Sequence, residues 1–221
     1  MIDFLSTFSI FLAGNLHFLL EQDGCLPESS IKQFGVDICE GLFHIHSLNI
    51  LFCDLVPQKV NINNSKLKYF LIINFFSKIM IDGNGTLKLS DFGLSKIEGE
   101  DLELIFQETF DSTSSQWLQN ESQSKPPKVY RKPFGDVRYM APEIISGEDN
   151  TKESDIWSLG CLLYQMYTGS LPFVSENQEH LKQMILNREL PYPKGNKLST
   201  KPSNEFIRLL KGLLEKDPSK R

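Results

Sequence analysis

The sequence predicts a mainly α fold with one short β-hairpin, on three observations. Residues 27–46 carry apolar side chains at helical spacing, with Ile31, Phe34, Ile38, Leu42 and Ile45 on one face. A second apolar run from Asp155 through Tyr167 stops at Thr168-Gly169, as a buried helix would. Gly83-Asn84-Gly85 separates two short apolar alternations, the pattern of a tight hairpin. At 221 residues the chain is long enough for one domain with a real core, and 40% hydrophobic with 23% charged residues is a soluble globular composition. A net charge of −5 offers no basic face for nucleic acid. Cys25, Cys39, Cys53 and Cys161 lie far apart without Cys-x-x-Cys spacing, which predicts reduced thiols in a cytoplasmic protein. His44 and His46 face different sides of their helix and make no metal pattern.

In chain order, residues 1–13 are apolar but lack Lys or Arg, and Asp3 stands where a signal peptide carries positive charge. The stretch is too short to span a bilayer, so no membrane partner is expected. Pro27 and Glu28 suit a helix start. The helix over 27–46 feeds a mainly apolar run, Asn49 to Leu55, that presents one carboxylate, Asp54. Ser175 and Gln178 have the spacing of a capping box opening a helix through about Leu186. Ser203 opens a last helix, with Phe206, Ile207, Leu210, Leu213 and Leu214 as its stripe.

Two triplets, Asp91-Phe92-Gly93 and Ala141-Pro142-Glu143, bracket a long polar loop. Upstream of them stands Phe52-Cys53-Asp54-Leu55-Val56-Pro57-Gln58-Lys59. Together these resemble the catalytic loop and activation segment of eukaryotic protein kinases. Within that family they are similar to the Unc-51-like group, in particular its fourth, pseudokinase, type, and LSKIEGEDLE agrees. The resemblance spans roughly Gly14 to Arg221. It implies the C-terminal lobe of a kinase fold, with ATP and Mg2+ as the family's cofactors. Asp54 then takes the position of the base that orients a substrate hydroxyl, and Asp91 that of a metal ligand, where the resembled type has lost its Asp. Phe52 takes the position of the motif's His. Cys53 replaces the Arg that pairs with a phosphorylated activation loop, and Val56 replaces the Lys set near the γ-phosphate. Lys59 replaces the Asn that binds a second magnesium, and an ammonium repels a cation. Asp136 stands where the family has a Thr, and a second carboxylate near Asp54 implies like-charge repulsion. Asp155 matches the Asp that holds the catalytic-loop backbone. Glu143 and Arg221 match a structural ion pair.

The family joins the matches of Asp54 and Asp91 by a compact pair of strands, yet here they are 37 residues apart. Removing the 19 residues Val60 to Lys78 joins Lys59 to Ile79 and restores a clean hairpin. This surplus is rich in residues with AT-rich codons and fits an unspliced intron. The alternative is a loop insertion, in which case KYFLIINFF (68–76) is an aggregation hazard. Residues 94–140 form the would-be activation loop, long and polar enough to be partly disordered. Its Ser112, Thr113, Ser114 and Ser115 are candidate phosphate acceptors, set against the plain reading of a solvated loop.

No Gly-x-Gly-x-x-Gly loop or Val-Ala-x-Lys strand occurs in the sequence. The expectation is therefore a kinase-like C-terminal lobe with its N-lobe absent and its final helix truncated. Three functions fit: a regulatory pseudokinase working through protein partners, a piece of an active ATP-dependent Ser/Thr kinase, or a non-functional product of an incomplete gene model.

Overall fold

The computed structural model describes residues 16–57, 79–81, 86–89, 92, 94–99, 135–194 and 201–221, with backbone alone at Phe18 and 79–81. The expectations for residues 1–13 and 60–78, and for most of the activation loop, lie outside these residues.

Helix α1 (Leu16–Asp23) leads to α2 (Glu28–Ser47) through Gly24 and Pro27. Ile31, Ile38, Leu42 and Ile45 are buried along α2, the face that the spacing predicts. The buried Gly35 faces Leu163 of the central helix. Strand β1 (Ile50–Leu51) follows. Strands β2 (Ile79–Ile81) and β3 (Leu87–Leu89) pair antiparallel with Ile79 opposite Leu89. This is the expected hairpin, and Leu87 N donates to Asp37 Oδ2 of α2 at 2.9 Å. A second two-stranded pairing, β1 with β4 (Lys96–Ile97), was not visible in the sequence.

Short helix α3 (Pro142–Ile145) precedes α4 (Lys152–Thr168), the centre of the molecule. Helix α4 begins three residues before Asp155, because Thr151 and Ser154 form a reciprocal capping box. Twelve of its residues are buried, so its hydrophobicity runs all round rather than along one stripe. Gly169 ends it in the left-handed conformation. Helix α5 (Gln178–Asn187) differs from the predicted capping: Asn177 is the N-cap, accepting from His180 N at 3.0 Å. Ser175 instead accepts from Asn177 N, one step upstream. Ser203 caps α6 (Asn204–Leu213), its Oγ accepting from Phe206 N, and its N and Oγ both donate to Glu28 at the start of α2.

Two apolar clusters flank α4. One joins α1, α2, α4 and α6 through Leu16, Leu42, Leu162, Tyr167 and Leu210. The other joins Tyr139, α3, Trp157, Phe173 and α5. The functional loop lies between them, with Phe52 and Leu55 in the first and Val56 in the second. Among the described residues no helix is long and apolar enough to cross a membrane.

Candidate functional site

Helix α2 ends in a turn at Leu48 and Asn49, where Asn49 adopts φ 56°. Asn tolerates this region better than other side-chain-bearing residues. After β1 the chain runs without regular structure from Phe52 to Pro57. One carboxylate shapes this loop. Asp155, in the first turn of α4 and 1% exposed, accepts from Phe52 N and Cys53 N, each at 2.8 Å. His46 Nε2 of α2 lies 2.8 Å from Asp155 Oδ2. A buried carboxylate requires such donors, and three are supplied from α2 and the loop. The clasp holds Cys53 at φ 64°, a strained region for a residue with a Cβ.

Cys53 Sγ donates to Leu51 O at 3.7 Å. Burial, then the nearby Asp155 charge, pushes its thiol up to about 12, so it stays neutral at physiological pH. Phe52 is buried and meets Phe92 edge-on, with ring centroids 5.3 Å apart. Phe92 is thereby tied to the loop. Its motif neighbour Asp91 lies outside the described residues, as does Lys59.

Asp54 faces a small cleft lined by Cys53, Val56, Gly135, Asp136 and Tyr139 among others, enclosing about 20 Å³. That is room for about one water. Gly135, at φ 112°, lies so close that a Cβ there would sit 3.2 Å from Asp54 Oδ1. Gly135 is thus a site residue that the sequence reading passed over within FGDVRYMAPE. Asp136 does not stand as a bare second charge. Arg138 Nε donates to both its oxygens, at 2.9 and 3.0 Å, and Arg138 Nη2 donates to Oδ2. Asp136 also accepts from Arg138 N at 3.0 Å, capping the 3-10 turn Val137–Tyr139. The hydrogen-bonded carboxylate holds the Arg138 guanidinium more firmly protonated than usual. The repulsion expected against Asp54 is therefore offset by a local cation that the sequence reading did not use.

Beyond this turn the chain is pinned to α4. Ser158 Oγ donates to Tyr139 O at 2.9 Å, and Tyr139 Oη donates to Gln165 Oε1 at 2.6 Å. Glu143 then meets Arg221 in a two-pronged pair, Nη1 to Oε1 and Nη2 to Oε2, both 2.6 Å. Their side chains are 4% and 0% exposed. Arg221 also donates to the carbonyls of Glu215 and Glu153 and lies over the Trp157 ring.

The structure thus brings Phe52, Cys53, Asp54, Val56, Asp136 and Asp155 to one place, and pairs Glu143 of α3 with Arg221. Val56 is 6% exposed and packed in the second apolar cluster. Among the described residues no group of three His, Cys, Asp or Glu side chains is arranged to hold a metal ion. Of the positions that would face a nucleotide with its magnesium, Val56 is described and brings no charge, while Asp91 and Lys59 lie outside the described residues. His46 was read only for metal spacing, and its partner across 109 residues has no local signal.

Residues 6–221 match the family profile described as protein kinase domain. The chain is 40% identical over 210 residues to the serine/threonine-protein kinase ULK4 of Mus musculus, covering 94% of this chain and 14% of that protein. It is 34% identical over 211 residues to the serine/threonine-protein kinase RUNKEL of Arabidopsis thaliana, covering 95% of this chain and 12% of that protein. It is 32% identical over 209 residues to protein kinase 2 of Dictyostelium discoideum, covering 94% of this chain and 33% of that protein. The chain therefore spans a third or less of the length of these relatives.

Proposed function

The chain belongs to the protein kinase family, and from that premise we propose that it is a regulatory pseudokinase domain, acting through protein partners rather than by transferring phosphate. One observation carries the reading. Val56, where the family sets a phosphate-facing Lys, is buried in an apolar cluster. A cation at that position would have to leave a packed core, at a cost of several kcal/mol. Two neighbours support it. Cys53 is a neutral thiol where the family has Arg, and Lys59 stands at a position for a magnesium-binding Asn. The four cysteines, all free thiols, support a cytosolic setting.

A second reading, part of an active Ser/Thr kinase using ATP and Mg2+, is favoured by Asp54. Its loop is held by a complete clasp on Asp155, and the sequence keeps Asp91. A nucleotide thermal-shift assay with and without Mg2+, run beside a phosphate-transfer assay, separates the two. The pseudokinase reading expects neither a magnesium-dependent shift nor transfer to protein hydroxyls. Transfer that is lost in Asp54→Asn would replace it with the second reading.

A further inference from the structure

We infer that Lys216 is a covalent modification site, its side-chain amine taking an acyl group from an acyl thioester.

The end of the chain carries Lys216 back against α4 and α5. Its Nζ donates to Ile185 O near the end of α5. It lies 4.3 Å from the centroid of the Phe173 ring and 4.9 Å from that of Trp157. The two rings are stacked, 6.3 Å apart and 6° from parallel, and both are buried. An ammonium carries three N–H donors, and this site offers one carbonyl and two ring faces. Ring faces attract a cation, but Arg221 already lies over the Trp157 ring, 5.1 Å from its centroid. Glu215 turns Oε1 to the amides of Lys216 and Asp217 rather than to the amine. Lys152, Lys182 and Lys220 each have a carboxylate oxygen within 3.0 Å that favours the charged form. Among the described residues Lys216 has no such partner. Burial, with the Arg221 charge in the same direction, lowers its amine to about 8, against the opposing charges of Cys161 and Glu215. A sizeable fraction of the amine is then neutral near pH 7.5, against roughly one in a thousand for an ordinary lysine. One N–H of the neutral amine stays on Ile185 O, and the ring faces repel its lone pair. The lone pair is left to the open side of this half-buried residue. There it attacks the thioester carbonyl. The N–C bond forms, the C–S bond breaks, and the departing thiolate takes up the proton that the amine loses. The product amide keeps one N–H, enough for Ile185 O, and leaves Arg221 as the cation over Trp157. The step uses neither Asp54 nor a nucleotide, so a phosphate-transfer assay leaves it standing.

Acetyl-coenzyme A is the probe, incubated with the full chain from about pH 7 to pH 10, with acetylation read at each lysine by mass spectrometry. At about pH 7.5 Lys216 is expected to react at least about threefold faster than Lys182 and Lys220. That margin sets its larger neutral fraction against the lower nucleophilicity of a less basic amine. Its rate should level off above about pH 9, while the rates of Lys182 and Lys220 keep rising. In concentrated urea the preference should vanish, because the fold and not the local sequence creates it. A rate at Lys216 no higher than at Lys182 and Lys220 in the folded chain overturns the inference. So does a preference that survives in urea, or a rate at Lys216 that climbs to about pH 10 in step with the other two.

Discussion

Asp155 and Arg221 show how single side chains are committed in this molecule. The Asp155 carboxylate receives two backbone amides and the His46 ring while 1% exposed. An Asn at this position keeps one oxygen and turns an NH2 group toward a donor, so one buried amide loses its partner. Asp155→Asn is expected to lower unfolding free energy by roughly 2–4 kcal/mol. Urea denaturation at neutral pH measures it, and a loss under about 0.5 kcal/mol would contradict the clasp. Glu143→Gln leaves the buried Arg221 with carbonyls and an aromatic ring but no counter-charge. The expected loss is roughly 3–5 kcal/mol in the same measurement. Asp54 stood out as the one carboxylate in an apolar run, but the parts of Asp155, Glu143 and Arg221 came only through family resemblance, since their partners in space are far away in sequence. Arg138 was missed altogether. Asp-Val-Arg places opposite charges two residues apart, but that spacing pairs them only when the chain turns, and a turn at Val137–Tyr139 leaves little trace in composition.

At the scale of elements, the crossing of α4 and α6 turns on Gly160. A Cβ there would lie 2.8 Å from Leu214 Cγ and 2.9 Å from Leu213 Cβ. Real Cβ atoms do not approach this closely, and both neighbours belong to packed structure at the end of α6. Gly160→Ala is therefore expected to destabilise the fold by about 1–3 kcal/mol through overpacking, despite alanine's better helix propensity. Thermal unfolding would show it, and an unchanged or raised midpoint would mean that the two helices can part freely. The helices themselves were largely legible. The spacing of Ile31, Ile38 and Ile45 placed α2 within a residue at each end, and Ser203 marked the start of α6. The start of α5 was misread because Ser175 and Gln178 mimic a capping box. Asn177 prevailed, since its side-chain oxygen reaches His180 N while Ser175 serves the residue before the helix. The pairing of β1 with β4 was out of reach: two residues on each side leave no periodicity to read.

The second apolar cluster and the last turn of the chain meet at Lys216, which makes stability of the whole molecule depend on pH. Its Nζ lies 4.3 Å from the centroid of the Phe173 ring and 4.9 Å from that of Trp157, and donates to Ile185 O at the end of α5. Cys161, Arg221 and Glu215 are the titratable and charged groups that bear on it. Burial, with the Arg221 charge in the same direction, lowers its amine from 10.5 to about 8. In the unfolded chain the amine keeps its proton up to 10.5. Between about pH 8 and 10.5 the unfolded state therefore binds more protons, and stability rises with pH. Cys53 acts in the opposite sense. Its thiol is raised from 9.0 to about 12, so its contribution is whole below pH 9 and lost as pH climbs toward 12. The buried Cys161 thiol, also pushed up by burial, adds to that loss. The two trends cross, and unfolding free energy is expected to rise from about pH 7.5 to 9 and then fall. Because Lys216 is only half-buried, solvent screening limits the rise to about 1 kcal/mol. Lys216→Met keeps the apolar stem over the two rings but cannot titrate, so it should abolish the rise and leave the fall. If the rise survives in that variant, another group carries it and the amine at 216 titrates as it would in water.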